Sequence, residues 1–259
     1  MPRKPEAYPT KWMFSLFFRP APAREEFLIA ELWECGTTGI VEEDGGIRAF
    51  FDDLNLLHRF ASDTPELREE KPIDWAQATR DAWPPILVGK RFFLAPPWCN
   101  QLETPTGRLR LPIYPGMACG TGRHPATQLA LEAIEQHVRP GDRVVDVGTG
   151  SGILATAAAL VGAGVVIGCD VDPESVAIAR ERSNVPLFVG SASAVQSTWA
   201  DVVIANIDSA TIEQLAVEFA RIRKPVSTLI LTGFPEWDVP DGFSPKESRK
   251  REEWLCLIC

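Results

Sequence analysis

Apolar residues recur along this chain in two rhythms, and each rhythm marks a kind of element. Residues 12–18 form a short, nearly continuous apolar run that predicts a strand. Residues 23–35 place Phe27, Leu28, Leu32 and Trp33 at helical spacing, and Gly36 follows as a C-terminal cap. Two short strands, 38–43 and 47–51, are predicted around the hairpin turn Asp44-Gly45-Gly46. Asp52 or Asp53 is placed to cap a second helix ending near Ala61, and one more strand is expected near the charged segment that leads to Pro72-Ile73. That order predicts a small α+β unit of the split βαβ, ferredoxin-like type over residues 1–74. Residues 75–115 are rich in Pro and Trp and read as a connector with one short strand at 91–95.

The remainder, 116–259, has a different grammar. Residues 125–138 carry Ala126, Leu129, Ala130, Ala133, Ile134 and Val138 on one helical face, begun by Pro125 and stopped before Pro140-Gly141. Apolar strands are predicted at 143–147, 165–169, 187–189, 201–205 and 228–232, and helices at 152–161, 173–182 and 210–221. The stretch 190–198 is too short for a further helix, and 254–259 reads as a final strand. Continuous apolar strands alternating with helices predict a parallel sheet covered on both faces, a doubly wound, Rossmann-like α/β domain.

Composition narrows the function. Of 259 residues, 26 are Lys or Arg and 35 are Asp or Glu, a net charge of −9. Such a surface disfavours nucleic acid as a partner and suits a basic protein. No leader is read at the polar, Pro-rich start, and six widely spaced cysteines read as reduced thiols, so a cytoplasmic setting is expected. The uncharged stretch 152–169 is broken by Gly162-Ala163-Gly164 and is read as helix, turn and strand rather than a membrane span. Cys256 and Cys259 have the spacing of a metal pair, but they end an apolar run and are read as strand residues; no metal site is expected.

Chemistry concentrates at Val145-Asp146-Val147-Gly148-Thr149-Gly150-Ser151-Gly152. A strand here enters a glycine-rich turn and then a helix, so main-chain N–H groups face outward and a ligand can approach the backbone. Ile153 stands where a dinucleotide fingerprint would have its third glycine. Asp146, at the strand end, suits a ligand with a cationic amino group. Asp170 falls 22 residues after Gly148, where such folds place an acid on ribose hydroxyls. Asp172 is better read as the cap of the next helix. Together these residues point to a nucleoside ligand other than a nicotinamide dinucleotide.

These segments resemble the S-adenosylmethionine-dependent methyltransferases with a seven-stranded Rossmann-like sheet. Two more segments narrow the likeness. Gly116-Met117-Ala118-Cys119-Gly120-Thr121-Gly122-Arg123-His124-Pro125-Ala126-Thr127 is similar to the G-x-A-F-G-T-G-x-H-P-T-T signature of the ribosomal protein L11 methyltransferases, with Cys119 and Ala126 as departures. Ala205-Asn206-Ile207 is similar to that family's A-N-I/L. The resemblance implies a protein N-methyltransferase that uses S-adenosylmethionine on lysine or other amino groups of ribosomal protein L11. It implies cofactor contacts at Thr127, Gly148, Gly150, Asp170 and Asn206, with Thr121 and Gly122 in a loop closing over the methionine end. Asn206 is the candidate catalytic residue, orienting the acceptor amine, and no dedicated base is visible. His124 reads equally as a helix cap or a substrate contact. Residues 234–242 are Pro-rich where the family has a helix. The alternatives are another protein-lysine or small-molecule acceptor, a nicotinamide dehydrogenase, or a binding module without activity.

Overall fold

The computed structural model describes residues 13–43, 45–51, 59–60, 63–70, 75–114 and 121–259. The chain divides into two compact units, 1–79 and 80–259. In the first, β1 (Met13–Phe18), α1 (Pro22–Glu34), β2 (Gly39–Glu43), β3 (Gly46–Phe51) and β4 (Glu66–Glu70) follow the expected sequence. The sheet order is β2-β3-β1-β4, antiparallel throughout. Alternation puts Leu16 and Phe18 of β1 and Ile47, Ala49 and Phe51 of β3 on one face. There they meet Leu28 and Leu32 of α1, whose i, i+4 spacing makes the buried stripe, while Phe27 and Trp33 lie on the exposed side. Most of the helix expected to end near Ala61, residues 52–58 and 61, and the apex of the hairpin turn, Asp44, lie outside the described residues.

The second unit includes most of the stretch expected as a connector. After α2 (Trp75–Ala82), β5 (Ile86–Val88), β6 (Phe92–Ala95) and β7 (Leu109–Pro112) form a three-stranded sheet of order β5-β6-β7. Val88, Phe92, Leu94, Leu111 and Ile113 are buried in the main core, so this segment belongs to the larger unit. The prolines masked it: they punctuate the ends of strands three or four residues long, too short for a periodic signal.

There follow α3 (Pro125–His137), β8 (Arg143–Val147), α4 (Ile153–Leu160), β9 (Val165–Asp170), α5 (Pro173–Arg182), β10 (Leu187–Val189) and β11 (Ala200–Asn206). The chain closes with α6 (Ser209–Gln214), α7 (Ala216–Ile222), β12 (Arg223–Pro235), β13 (Glu247–Arg251) and β14 (Trp254–Ile258). The single helix expected over 210–221 is interrupted at Leu215, and residues 190–198 hold only a short 3-10 turn whose carbonyls Arg221 gathers. Strand β13 escaped the sequence reading because Glu-Ser-Arg-Lys-Arg has no apolar residue; it is a charged edge strand.

The seven-stranded sheet runs β10-β9-β8-β11-β12-β14-β13, parallel from β10 to β12, with β14 antiparallel beside β12. Its pleat splits the core in two. Val144, Val202, Ile204, Cys256 and Ile258 face α3 and α4; Val145, Val203, Ala205, Leu257 and Cys259 face α6 and α7. Cys256 and Cys259 therefore pack into the cores on opposite faces of the sheet. Strand order reverses between β8 and β11, and ligands of doubly wound sheets bind outside the strand ends at such a switch point.

Candidate cofactor and acceptor site

Both halves of the candidate site sit at that switch point, on the neighbouring ends of β8 and β11, where Val147 pairs with Ala205. The turn after β8 uses three left-handed glycines, with φ of 73° at Gly148, 50° at Gly150 and 77° at Gly152. Gly148 is required twice over, since a Cβ there would lie 2.4 Å from Cγ2 of Ile207. Ile207 is wedged from the other side too: a Cβ on Gly233 would come within 2.5 Å of its carbonyl oxygen. The three strand ends are thus locked together around one isoleucine, which the sequence offered only as the last member of the Ala205-Asn206-Ile207 motif and with no packing role.

Asp146 is buried to 1% exposure and braces the turn from below. Its Oδ2 accepts from the Thr149 hydroxyl at 2.7 Å and from the Ala155 N–H at 3.1 Å, whereas Oδ1 is buried without a partner. Burial pushes this carboxyl up to about 6, with the Thr149 and Ala155 hydrogen bonds opposing. Asp170 holds the turn from the side: Oδ2 accepts from the Gly150 N–H at 2.9 Å and Oδ1 from the Asp172 N–H at 3.1 Å. Asp172 is the cap of α5, as expected, accepting from the N–H groups of Glu174 and Ser175.

Asn206 ends β11 half-buried, and its Nδ2 donates to the Thr127 hydroxyl at 3.2 Å across 79 positions of sequence. Thr127 is itself buried at 1% exposure in the first turn of α3, so it holds the amide from behind. Gly122, with φ of 81°, packs against the first residue of α4: a Cβ there would lie 2.6 Å from Leu94 and 2.8 Å from Ile153. Thr121 precedes it, half-buried; residues 115–120, which include the first part of that segment, lie outside the described residues. His124 caps α3, its Nδ1 accepting from the Ala126 N–H at 3.3 Å, and its ring lies edge-on to Trp254 at 4.3 Å. The structure thus places His124 as the cap of α3. A cavity of about 650 Å³ beside Pro84, Trp98 and Gln101 includes none of these residues.

This donor set fits a nucleoside with a cationic amino group. A buried carboxylate oxygen stands unpartnered at the strand end, and each Asp170 oxygen, engaged once, retains a lone pair for a ribose hydroxyl. Comparison with known proteins decides the class. The family model described as ribosomal protein L11 methyltransferase (PrmA) matches residues 37–259. The chain belongs to this family. It is 37% identical over 242 residues to the ribosomal protein L11 methyltransferase of Deinococcus radiodurans, covering 86% of this chain and 88% of that one. It is 40% identical over 206 residues to the corresponding protein of Geobacter metallireducens, covering 74% and 67%. Among solved structures, the ribosomal protein L11 methylase of Lactobacillus delbrueckii subsp. bulgaricus superposes with a TM-score of 0.61 at 26% identity, covering 67% of this chain and 96% of that one.

The chain is thus a methyltransferase whose methyl donor is S-adenosylmethionine, which sets aside the dehydrogenase and the inactive module. Of the expected site residues, the fold gathers Asp146, Gly148, Gly150 and Asp170 into one hydrogen-bonded turn and joins Asn206 to Thr127. Thr149, Ile207 and Gly233 complete the site. Thr149 had a readable signal, a hydroxyl three residues beyond a strand-end acid, and Ile207 closed a quoted motif, whereas Gly233 had none.

Proposed function

We propose that this enzyme methylates amino groups, lysine side chains foremost, of ribosomal protein L11, the acceptor its relatives' names state. The observation that carries the reading is the Thr127-held amide of Asn206 beside the glycine turn. With Nδ2 committed to Thr127, Asn206 offers Oδ1 to an amine N–H, and that grip leaves the nitrogen lone pair free to be aimed. In this reading Asp170 holds the ribose, the backbone at Gly148 and Gly150 takes the methionine moiety, and Asp146 meets its amino group. Thr121 and Gly122 cover that end. Bound S-adenosylmethionine supplies an electrophilic methyl on a sulfur that accepts the departing electron pair.

A protonated lysine has no lone pair, so the chain must take the amine neutral or strip its proton to water. Among the described residues no strong base serves Asn206: the His124 Nδ1 is spent on the helix cap, and the Thr211 hydroxyl and N–H hold Asp208 below the usual carboxylate range. The net charge of −9 favours a basic acceptor, and neither nucleic acid nor membrane is needed. Among the described residues no helix is long and apolar enough to cross a membrane, and the described cysteines are free thiols, in keeping with a cytoplasmic reaction. The N-terminal unit docks the acceptor and raises its concentration at the amide.

The test is incubation of the purified protein with isotope-labelled S-adenosylmethionine, ribosomal protein L11 and, separately, a ribosomal protein extract, followed by mass spectrometry of the labelled sites. Label on amino groups of L11 is expected. Binding of S-adenosylhomocysteine with label only in another protein or a small molecule would overturn the acceptor.

A further inference from the structure

The charged edge strand β13 reaches the cofactor loop through one glutamine. Arg251, the last residue of β13, donates through Nη1 to Oε1 of Gln128 and through Nη2 to Glu132 at 2.8 Å. Gln128, in the first turn of α3, passes the contact on: its Nε2 donates to the carbonyl oxygen of Arg123 at 3.0 Å. Arg123 is flanked by Gly122, which packs on Ile153 at the start of α4, and by His124, which caps α3. Its own guanidinium donates to the Ala82 carbonyl at 2.8 Å and lies 5.3 Å from the Trp83 ring. The same hairpin makes a second contact, because Trp254, the register partner of Arg251, packs against His124.

We infer that Arg251 and Gln128 are positioning residues, which hold residues 121–124 against the glycine turn and so set cofactor affinity without touching the cofactor. This rests on the reading of Thr121 and Gly122 as the cover of the cofactor. The chemistry of the relay is directional. Arg251 has only donors, Gln128 has both an acceptor and a donor, and the loop presents a carbonyl, so the amide at position 128 satisfies both neighbours where a carboxylate satisfies only Arg251.

That directionality supplies the test. Gln128→Glu keeps an acceptor for Arg251 and turns the contact into an ion pair, but it places a carboxylate where the Arg123 carbonyl needs a donor. The expected result is a three- to tenfold rise in the Kd for S-adenosylhomocysteine, measured by calorimetry on the full chain, with an undiminished melting temperature. Arg251→Met should weaken binding by a similar factor. Arg249→Met is the matched control: Arg249 lies on the same strand and bonds Gln136 at 2.7 Å and Glu247 at 2.6 Å, both away from the loop. It should lower the melting temperature and leave the Kd unchanged.

Wild-type affinity in Gln128→Glu and Arg251→Met would overturn the positioning role. So would an equal loss in Arg249→Met, which would make the effect one of general stability. Failure of the wild-type chain to bind S-adenosylhomocysteine would instead refute the cofactor site, so the two failures are distinguishable.

Discussion

A carboxylate with one satisfied and one orphaned oxygen is the most informative single group in the site. Asp146 titrates near 6 when folded and near 4 when unfolded, so the native state binds the extra proton between those values. The stability this contributes is complete below about pH 4 and is lost as pH rises through 6, a change of about 3 kcal/mol. Asp146→Asn removes the titration. In urea unfolding the variant should therefore gain about 3 kcal/mol relative to wild type between pH 4 and 7.5, and a constant difference would show that the buried charge is compensated. Thr127 and Asn206 divide their work differently. Thr127→Val removes the acceptor behind the amide and should lower kcat about three- to tenfold, with S-adenosylhomocysteine affinity nearly unchanged. Parallel losses in both would make Thr127 a cofactor contact. That Asp146, Asp170 and Asn206 stand at strand ends was legible, because each is a polar residue closing an apolar run. That Asp170 also braces Gly150 was not legible, since that bond depends on the turn's shape.

Among elements, the turn between β8 and α4 does most to place the chemistry, and its glycines act through neighbours as much as through their own φ. Gly148→Ala combines a left-handed conformation with a Cβ driven into Ile207, and Ile207 cannot retreat because Gly233 lies against its backbone. Backbone strain of about 1–3 kcal/mol is expected, together with a loss of S-adenosylhomocysteine binding of tenfold or more. Near-native binding and melting in that variant would show that β11 can shift to make room. The glycine turn was readable from spacing, as were α3, α5 and most strands, because long apolar periodicities survive in one dimension. The three-stranded sheet β5-β6-β7 and the edge strand β13 were not. The first is made of strands too short to show a period, and the second has no buried side to impose one.

For the whole molecule, cofactor binding should reside in residues 80–259, which contain the glycine turn, Asp170, Asn206 and the covering loop. A truncated chain beginning near Arg80 should retain S-adenosylhomocysteine binding, whereas methylation of intact ribosomal protein L11 should fall at least tenfold, about 1.4 kcal/mol of transition-state binding. Undiminished methylation by the truncated chain would show that the N-terminal unit does not dock the acceptor. The doubly wound class and a glycine turn suited to a nucleoside could be read from the chain alone, because strand ends, glycine spacing and helix caps are local matters settled within a few residues; the methyl donor came from the resemblance of those segments to a family. The wedge of Ile207 between Gly148 and Gly233, the bond from Asn206 to Thr127 and the relay from Arg251 to Arg123 could not. Each joins segments from 26 to 128 residues apart, and only the packing of the sheet order and helix layers sets which side chains meet.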